Sequence, residues 1–255
     1  MSSASADPAA DLSAARQQAY TGVRTGLAAL VPPACRSLLD LGCSDGSLGA
    51  YLKARQPALR VCGAEFQAEL ARVAAGRLDQ ALRLDLRHPE ALQAFANERF
   101  DCVVAADVLE HLPDPDALLS RLPAVLSPQA RLIVSLPNIR HLSALWSIYV
   151  RGEFPRRERG LFDATHLRWF TLRDAEALLA RHGWRVAQRQ FALRWSDQGG
   201  GRANRLLNRL PARWVERLAP VREFLTYQVE LLAVRAEEAF GPWTCPAFER
   251  QRGQG

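Results

Sequence analysis

Acidic side chains recur at the ends of short apolar segments in the first half of the chain. Asp40 stands in Leu38–Leu41, Glu65 follows an apolar run at 59–64, Asp85 follows 81–84, and Asp107 follows 100–106. Each run has the length and composition of a buried strand. If these strands are parallel, their carboxyl ends meet at one rim of a sheet. Carboxylates gathered there suit a ligand that carries positive charge and hydroxyl groups.

The segment after the first of these strands is a glycine turn, Gly42-Cys43-Ser44-Asp45-Gly46, followed by a helical pattern. Glycine lets a ligand approach the backbone closely, because no Cβ stands in the way. Strand, glycine turn and helix together are typical of the first unit of a doubly wound nucleotide-binding fold. We therefore predict that Gly42, Cys43 and Gly46 contact a nucleoside ligand. Ser44 takes the place of a third glycine.

The negative charge at this turn indicates which kind of nucleoside ligand binds there. A pyrophosphate bound at a helix N-terminus would be repelled by carboxylates, and Asp40 and Asp45 flank the turn. S-adenosylmethionine, with an amino group and a sulfonium, fits the acids better. An ordinary turn with solvated acids remains the alternative.

Two further acids have specific partners in such a ligand. An acid at the tip of the second strand accepts hydrogen bonds from ribose hydroxyls, which is the role predicted for Glu65, with Phe66 beside adenine. Asp85 is predicted to accept from the adenine amino group while Leu86 packs against the ring. For Glu65 the alternative is a helix-capping acid.

Strands alternate with helices to about residue 136, which predicts an α/β fold with a mostly parallel sheet and right-handed crossovers. Helical patterns run over 117–126 and 139–150, and a strand pattern runs over 130–135. Residues 1–11 are expected to be disordered, 12–236 to form a single domain, and 237–255 to be a loose tail. Helical spacing runs over 12–30, where Tyr20 and Arg24 share a face. Insertions are expected at about 139–171 and 192–222, and the basic second one is an alternative site for a partner protein.

Composition restricts the class of protein. The chain has 255 residues, 48% hydrophobic and 24% charged, with a net charge of +6 that rests almost wholly on arginine. This charge is compatible with an anionic substrate or peripheral contact with a membrane, and no nucleic-acid partner is expected. The five cysteines form no CxxC pair. With neither a signal peptide nor a transmembrane segment in the pattern, we expect a cytoplasmic protein.

These motifs together resemble the class I S-adenosylmethionine-dependent methyltransferases. The resemblance is carried by LLDLGCSDGSLG, VCGAEF, RLDL, FDCVVAADVLEHLPDP and ARLIVSLPN, and covers most of 20–236. It implies a Rossmann-like doubly wound sheet of seven strands whose last strand is antiparallel. It also implies that Asp40, Gly42 and Gly46 line the methionine end of the cofactor, and that Ala106 and Asp107 lie against it. More narrowly, LPNIRHLSAL and GLFDATHLRWFT are similar to methyltransferases of bacterial polysaccharide and O-antigen gene clusters.

Methyl transfer to an alcohol needs a group that takes the hydroxyl proton, and histidine suits this near neutral pH. His166 in the first insertion is the first candidate, and His111 after the fourth strand is the second. Both residue contexts also fit a purely structural role. No metal is expected, since Asp163 lacks clustered partners in the sequence.

The function predicted from these features is methylation of a sugar in a surface glycan or its activated precursor. Trp146 and Trp169 would then be aromatic platforms, and Arg156, Arg157, Arg159 and Arg168 would bind a diphosphate or an acidic sugar. A quinone or another small metabolite is the alternative acceptor, since EHLPDP also occurs in such enzymes. A non-catalytic module that binds a nucleoside or a partner protein is the alternative from another class. The sequence leaves the oligomeric state open.

Overall fold

The computed structural model describes residues 24–195 and 219–236. Four predictions lie wholly or largely outside these ranges. They concern disorder at 1–11, the helix at 12–30 with Tyr20, the insertion at 192–222 and the loose tail at 237–255.

One seven-stranded sheet organises the described chain, with the strand order β3-β2-β1-β4-β5-β7-β6. The strands are β1 Ser37–Leu41, β2 Arg60–Glu65, β3 Gln80–Arg83, β4 Phe100–Ala106, β5 Leu126–Pro137, β6 Trp184–Leu193 and β7 Thr226–Arg235. Neighbours from β3 to β5 pair in parallel, whereas β7 is antiparallel to both β5 and β6. The predicted α/β fold with an antiparallel last strand is confirmed.

Helices connect the strands and cover both faces of the sheet. The α-helices are α1 Thr25–Leu30, α2 Ser47–Arg55, α3 Ala68–Ala75, α4 Pro115–Arg121, α5 Leu142–Leu145, α6 Leu172–Arg181 and α7 Ala219–Leu225. Short 3₁₀ turns occupy Pro89–Phe95, Leu109–His111 and Leu122–Val125, and a π-helical turn occupies Trp146–Val150. Of the described helices, none is long and apolar enough to cross a membrane.

Several boundaries differ from those expected. The helix predicted over 117–126 ends at Arg121, because Pro123 cannot donate to an α-helical ladder and opens a 3₁₀ turn instead. The strand predicted over 130–135 extends through Pro137, since β7 pairs with it as far as Gln228. The single helix predicted over 139–150 is a short α-helix followed by the π-helical turn.

The core has a separate apolar layer on each face of the sheet. Along β1, Leu39 and Leu41 belong to one buried cluster and Leu38 to the other, as the twofold alternation of a strand requires. β1 lies between β2 and β4, so the chain reverses its direction of travel across the sheet there. In doubly wound sheets, ligands bind beyond the strand ends at this point.

Gly42 is the position where the turn after β1 depends most on a missing side chain. Its φ is +68°, and a Cβ there would lie 2.7 Å from Cγ2 of Val108. Gly152 has a similar φ of +66°, but a Cβ there would meet no atom within 4 Å. The two glycines separate backbone strain from steric overlap.

Gly42→Ala is therefore expected to destabilise the protein more than Gly152→Ala. Gly152→Ala, the control, should lower the free energy of unfolding by about 1–2 kcal/mol, because of the left-handed backbone alone. Gly42→Ala should lower it by a further ~1–3 kcal/mol, because the new methyl group overpacks against Val108. Chemical denaturation of both variants measures the difference. An equal loss of stability in the two variants would show that the Val108 side chain can move aside at no cost in free energy.

Candidate functional site

The turn after β1 is held in a left-handed conformation by its neighbours. Gly42, Ser44 and Gly46 all have positive φ, at 68°, 52° and 78°. The N–H groups of Gly42 and Cys43 donate to the Ala64 carbonyl at 2.8 and 3.1 Å, which ties the turn to β2. The hydroxyl oxygen of Ser44 is buried with no hydrogen-bond partner among the described residues.

Cys43 contributes to this turn mainly through its backbone. Its side chain is 5% exposed, and a Cβ added to Gly63 would lie 2.5 Å from the Cys43 sulfur. The side chain thus fills space that Gly63 leaves open in the core. Any ligand contact by Cys43 is expected at main-chain atoms.

Asp40, near the end of β1, is more deeply buried than Asp45 in the turn, with 2% of its surface exposed. Burial raises the pKa of Asp40 to about 7, and the nearby charge of Arg24 opposes that rise. Arg24, whose charge acts on this carboxylate, donates its hydrogen bond to Asp107 instead. The carboxylate therefore suits a cationic group of a ligand.

Asp45, which the sequence groups with Asp40, has a structural role instead. It accepts from the N–H and hydroxyl of Ser47 at the start of α2, at 3.1 and 2.9 Å. Its carboxylate also pairs with Arg77. Asp45 therefore provides no spare charge for a ligand.

Glu65 at the end of β2 joins two parts of the rim. Its carboxylate accepts from Ser44 N–H at 2.9 Å and from Gln67 N–H at 2.8 Å. Burial raises the pKa of Glu65, although these backbone donors oppose the rise. Phe66 follows with 38% of its surface exposed, so its ring is accessible to a ligand.

The carboxylate of Asp85, after β3, forms hydrogen bonds with Arg87, a residue that the sequence analysis did not select. Arg87 donates to it from Nε at 2.9 Å and from Nη2 at 2.7 Å. The Arg87 hydrogen bond lowers the pKa of Asp85. The same guanidinium lies 4.8 Å from the centre of the Phe66 ring, and Leu86 beside it is buried.

Asp107 lies at the centre of a network between distant parts of the chain. Ala106 ends β4 half-buried, and Asp107 follows with a φ of 54° and donates its N–H to the Ser135 carbonyl at 3.0 Å. Arg24 and Gln228 both donate to the Asp107 carboxylate. Burial disfavours the charge of Arg24, but the attraction of Asp107 prevails and raises its pKa.

Glu110 lies one turn further on and is completely buried. Neither of its carboxylate oxygens has a hydrogen-bond partner among the described residues. Burial, reinforced by the charge of Asp107, raises the pKa of Glu110 well above its ordinary value. A carboxyl group with no partner in such a place is costly and calls for an explanation.

The two predicted catalytic histidines lie together beside Glu110. The rings of His111 and His166 pack edge to face with centroids 4.8 Å apart. Nδ1 of His166 lies 3.3 Å from the Leu161 carbonyl, and Nδ1 of His111 lies 3.3 Å from the Thr165 carbonyl. Burial, together with the neighbouring His111, lowers the pKa of His166. The insertion thus brings residues 54 positions apart into contact, as Thr165 and His111 show.

His141, which follows β5 in the chain, has a structural role. It is fully buried and its Nδ1 accepts from Ser143 N–H at the start of α5. Its Nε2 lies 2.9 Å from the Arg194 carbonyl, to which it donates.

Sequence reasoning missed two groups that shape the site. Glu110 precedes His111 in the chain and gives no sign of burial there, and the N–H groups that donate to its carbonyl come from Leu167 and Arg168 in the insertion. Arg24 was noted only for its helical spacing with Tyr20, and its pairing with Asp107 spans 83 positions. No local pattern encodes either contact.

The described rim fits S-adenosylmethionine. The buried carboxylate of Asp40 lies near the end of β1, and the unpartnered hydroxyl of Ser44 lies in the turn that follows. Together they offer an acceptor for a cationic group and a polar contact for a nucleoside. A phosphate group bound at this turn would be repelled by the Asp40 carboxylate. The polar groups at this turn therefore favour S-adenosylmethionine over a pyrophosphate ligand, as the acidic sequence of the turn predicts.

A model of a methyltransferase domain matches residues 14–189. The chain therefore belongs to this methyltransferase domain family, with the class I S-adenosylmethionine-dependent fold, and S-adenosylmethionine is the cofactor of the domain. This finding speaks against the alternative of a non-catalytic module.

Curated relatives carry related names. A ubiquinone biosynthesis O-methyltransferase of Xylella fastidiosa (strain 9a5c) is 35% identical over 127 residues, which cover 49% of this chain and 50% of that protein. An uncharacterized methyltransferase of Mycobacterium tuberculosis (strain ATCC 25618 / H37Rv) is 33% identical over 126 residues, covering 48% of this chain and 61% of its own length. The chain thus spans about half the length of the curated relatives it matches.

Solved structures share the fold at low identity. Magnesium protoporphyrin IX methyltransferase from Synechocystis PCC 6803, solved with bound SAH, has a TM-score of 0.54 at 19% identity, covering 86% of this chain and 83% of that one. A methyltransferase from Thermotoga maritima, described as a possible histamine N-methyltransferase, has a TM-score of 0.55 at 15% identity, covering 88% and 92%. These likenesses support the fold.

The raised pKa of Asp40 predicts how stability depends on pH. Its folded pKa of about 7 lies above the ordinary value of 3.8, so the folded state holds the proton more tightly. The stabilising contribution is complete below the ordinary value and is lost as pH rises through about 7. Asp40→Asn should flatten this slope and, in the ligand-free protein above neutral pH, raise stability by on the order of 1–4 kcal/mol.

Denaturation across that pH range, for the wild type and for Asp40→Asn, measures the slope. The slope matters more than the absolute value, since an amide has its own burial cost. Parallel curves for the two proteins would contradict the assignment.

Proposed function

We propose that the protein is an S-adenosylmethionine-dependent O-methyltransferase whose acceptor is a sugar hydroxyl of a surface glycan or of its activated precursor. The observation that carries the proposal is the His111–His166 pair, whose rings lie 4.8 Å apart and whose His166 is within the electrostatic influence of Asp107. The insertion that carries His166 also has exposed aromatic side chains. Polar, proton-accepting side chains near Asp107 support an acceptor site on this side of the proposed cofactor position.

The proposed cofactor contacts follow the rim. Asp40 would bind the amino group of the methionine end, with Gly42, Cys43 and Gly46 lining the turn. Glu65 would accept from the ribose, Phe66 and Leu86 would pack on adenine, and Asp85 would accept from its amino group. Ala106 and Asp107 would lie against the cofactor near β4. The Arg87 guanidinium lies against both Asp85 and Phe66, so it must shift or stack on the base for these contacts to form.

S-adenosylmethionine supplies a methyl group on a sulfonium, which an acceptor oxygen displaces. The leaving thioether is neutral, so the chain's own residues mainly align the acceptor, exclude water and assist removal of the hydroxyl proton. We assign that last task to His166 and His111. In both rings the Nδ1 that faces a carbonyl must be the donor, so the lone pair of the neutral ring is on Nε2.

The first insertion supplies the proposed acceptor surface. Trp146 is 58% exposed, Phe154 51% and Trp169 36%, and the rings of Phe154 and Trp169 pack at 5.0 Å. Aromatic faces of this kind suit the apolar face of a sugar ring. Exposed arginines on the same segment suit a phosphate or carboxylate of an activated sugar, and include Arg156 and Arg159.

Phenolic precursors of a quinone are the second candidate acceptors. The observation in their favour is the 35% identity with a ubiquinone biosynthesis O-methyltransferase over half of the chain. The exposed aromatic surface also suits an apolar acceptor with a long tail.

A labelled-methyl assay separates the two acceptors. The protein is incubated with radiolabelled S-adenosylmethionine and, in parallel, with nucleotide-activated sugars, cell-envelope glycan extract and a catechol with a prenyl tail. Label in the sugar or glycan fraction supports the proposal. Label in the catechol alone replaces it with the second candidate, and label in none of them contradicts both.

His166→Ala tests the proposed role of the histidine pair. Turnover is expected to fall by about 100- to 10,000-fold, the range for loss of a proton-transfer group, with little change in S-adenosylmethionine affinity by calorimetry. His182→Ala is the matched control, since that histidine pairs with Asp116 at 2.8 Å on α4 and is not among the proposed site residues. Full activity of the His166 variant would remove it from the mechanism.

A further inference from the structure

Glu110, His111 and His166 converge on one point. One carboxylate oxygen and one nitrogen of each ring all lie within 4.8 Å of one another. Glu110 and His111 come from the turn after β4, whereas His166 comes from the insertion. Two imidazoles and a carboxylate form a common ligand set for divalent transition metals.

The state of Glu110 is an independent sign that something binds there. Its side chain is 0% exposed, and both oxygens lack a hydrogen-bond partner among the described residues. Native structures rarely leave a buried carboxyl group in this condition. A cation bound between the three side chains would supply the missing partner.

Backbone carbonyl groups orient the rings of His111 and His166, as they commonly do for histidines that bind a metal. Each Nδ1 faces a backbone carbonyl of the segment 161–165, at 3.3 Å in both cases. Thr165 also donates its hydroxyl to Asp163 at 2.6 Å, which fixes the segment that carries these carbonyls. Metal-binding histidines usually donate their second ring nitrogen to such a group, which sets the tautomer and the ring direction.

The backbone holds the insertion against Glu110. The N–H groups of Leu167 and Arg168 donate to the Glu110 carbonyl at 2.8 and 3.1 Å. The Arg168 side chain donates to the Pro113 carbonyl, from Nε at 3.1 Å. These hydrogen bonds join the insertion to the turn after β4 and hold His166 close to Glu110.

We propose that Glu110, His111 and His166 bind a divalent cation of the Mn²⁺, Fe²⁺ or Zn²⁺ class, which holds the acceptor hydroxyl. This proposal rests on the proposed function and replaces the expectation of no metal. Three protein ligands leave coordination positions for water and for the acceptor oxygen. The histidines then assist proton removal through the cation instead of taking the proton themselves.

The chemical step balances without an additional reactant. The acceptor hydroxyl, polarised by the cation, releases its proton to solvent. The oxygen forms a bond to the methyl carbon, the carbon–sulfur bond breaks, and its electron pair stays on sulfur. The cation keeps its oxidation state.

Direct metal binding to the full chain tests the site. Mn²⁺ titration is followed by the electron paramagnetic resonance signal of the free ion, and Co²⁺ titration by its visible absorption. Wild type should bind a single Mn²⁺, and Glu110→Gln and His166→Ala should each weaken binding by at least ~10- to 100-fold, since even outer-shell changes cost that much. His88→Ala is the control, because this exposed histidine lies 3.6 Å from a carboxylate oxygen of Glu90 without a third ligand among the described residues.

Affinity for S-adenosylmethionine, measured on each variant without metal, shows whether the variant is folded. Absence of Mn²⁺, Co²⁺ and Zn²⁺ binding by the wild type, or binding that the Glu110 and His166 variants retain, overturns the site. Full methyl transfer by chelator-treated enzyme overturns the metal's role while the proposed function stands. Metal binding that the two variants lose, with no methyl transfer to any hydroxyl acceptor, supports the site and contradicts the proposed function.

Discussion

Burial of several carboxylates at one end of a sheet is the constraint on which this site depends. Asp40, Glu65 and Glu110 are each less than 9% exposed, and each has a pKa raised by burial. Buried charge is tolerated only when it is paired, hydrogen-bonded or neutralised. Each buried acid at this rim therefore needs a cation or a hydrogen-bond donor, or it must be protonated.

The protein supplies these partners unequally. Asp107 receives Arg24 and Gln228, and Glu65 receives two backbone N–H groups. Both carboxylate oxygens of Glu110 lack a partner among the described residues, and this is where we place the cation. Asp40, where we place the cofactor amine, is acted on by the charge of Arg24, which pairs with Asp107.

The contacts that complete the rim come from far along the chain. Gln228 reaches Asp107 across 121 positions, and Thr165 reaches His111 across 54. The proposed cofactor contacts lie at the ends of the parallel strands from β3 to β5, whereas His166, one of the groups proposed to act on the acceptor, comes from the insertion. On this proposal, a change in the insertion alters the acceptor surface and leaves the strand ends in place.

Sequence patterns predicted the sheet well and the site in part. Apolar runs and the glycine turn located the parallel strands and put Asp40, Glu65 and Asp107 on one rim, because strand ends follow directly from chain order. The burial of Glu110, the Arg87–Asp85 pair and the capping role of His141 could not be predicted. They depend on which segment covers which side chain, and this is decided by tertiary packing and not by local spacing.

Proton release on cofactor binding tests the central claim most directly. Calorimetry of S-adenosylmethionine binding near neutral pH, repeated in buffers with different ionisation enthalpies, counts the protons exchanged. With a pKa of about 7 in the ligand-free protein, Asp40 should lose its proton to pair with the cofactor amine, so wild type should release protons and Asp40→Asn should release fewer. Equal proton release by the two proteins would contradict the account.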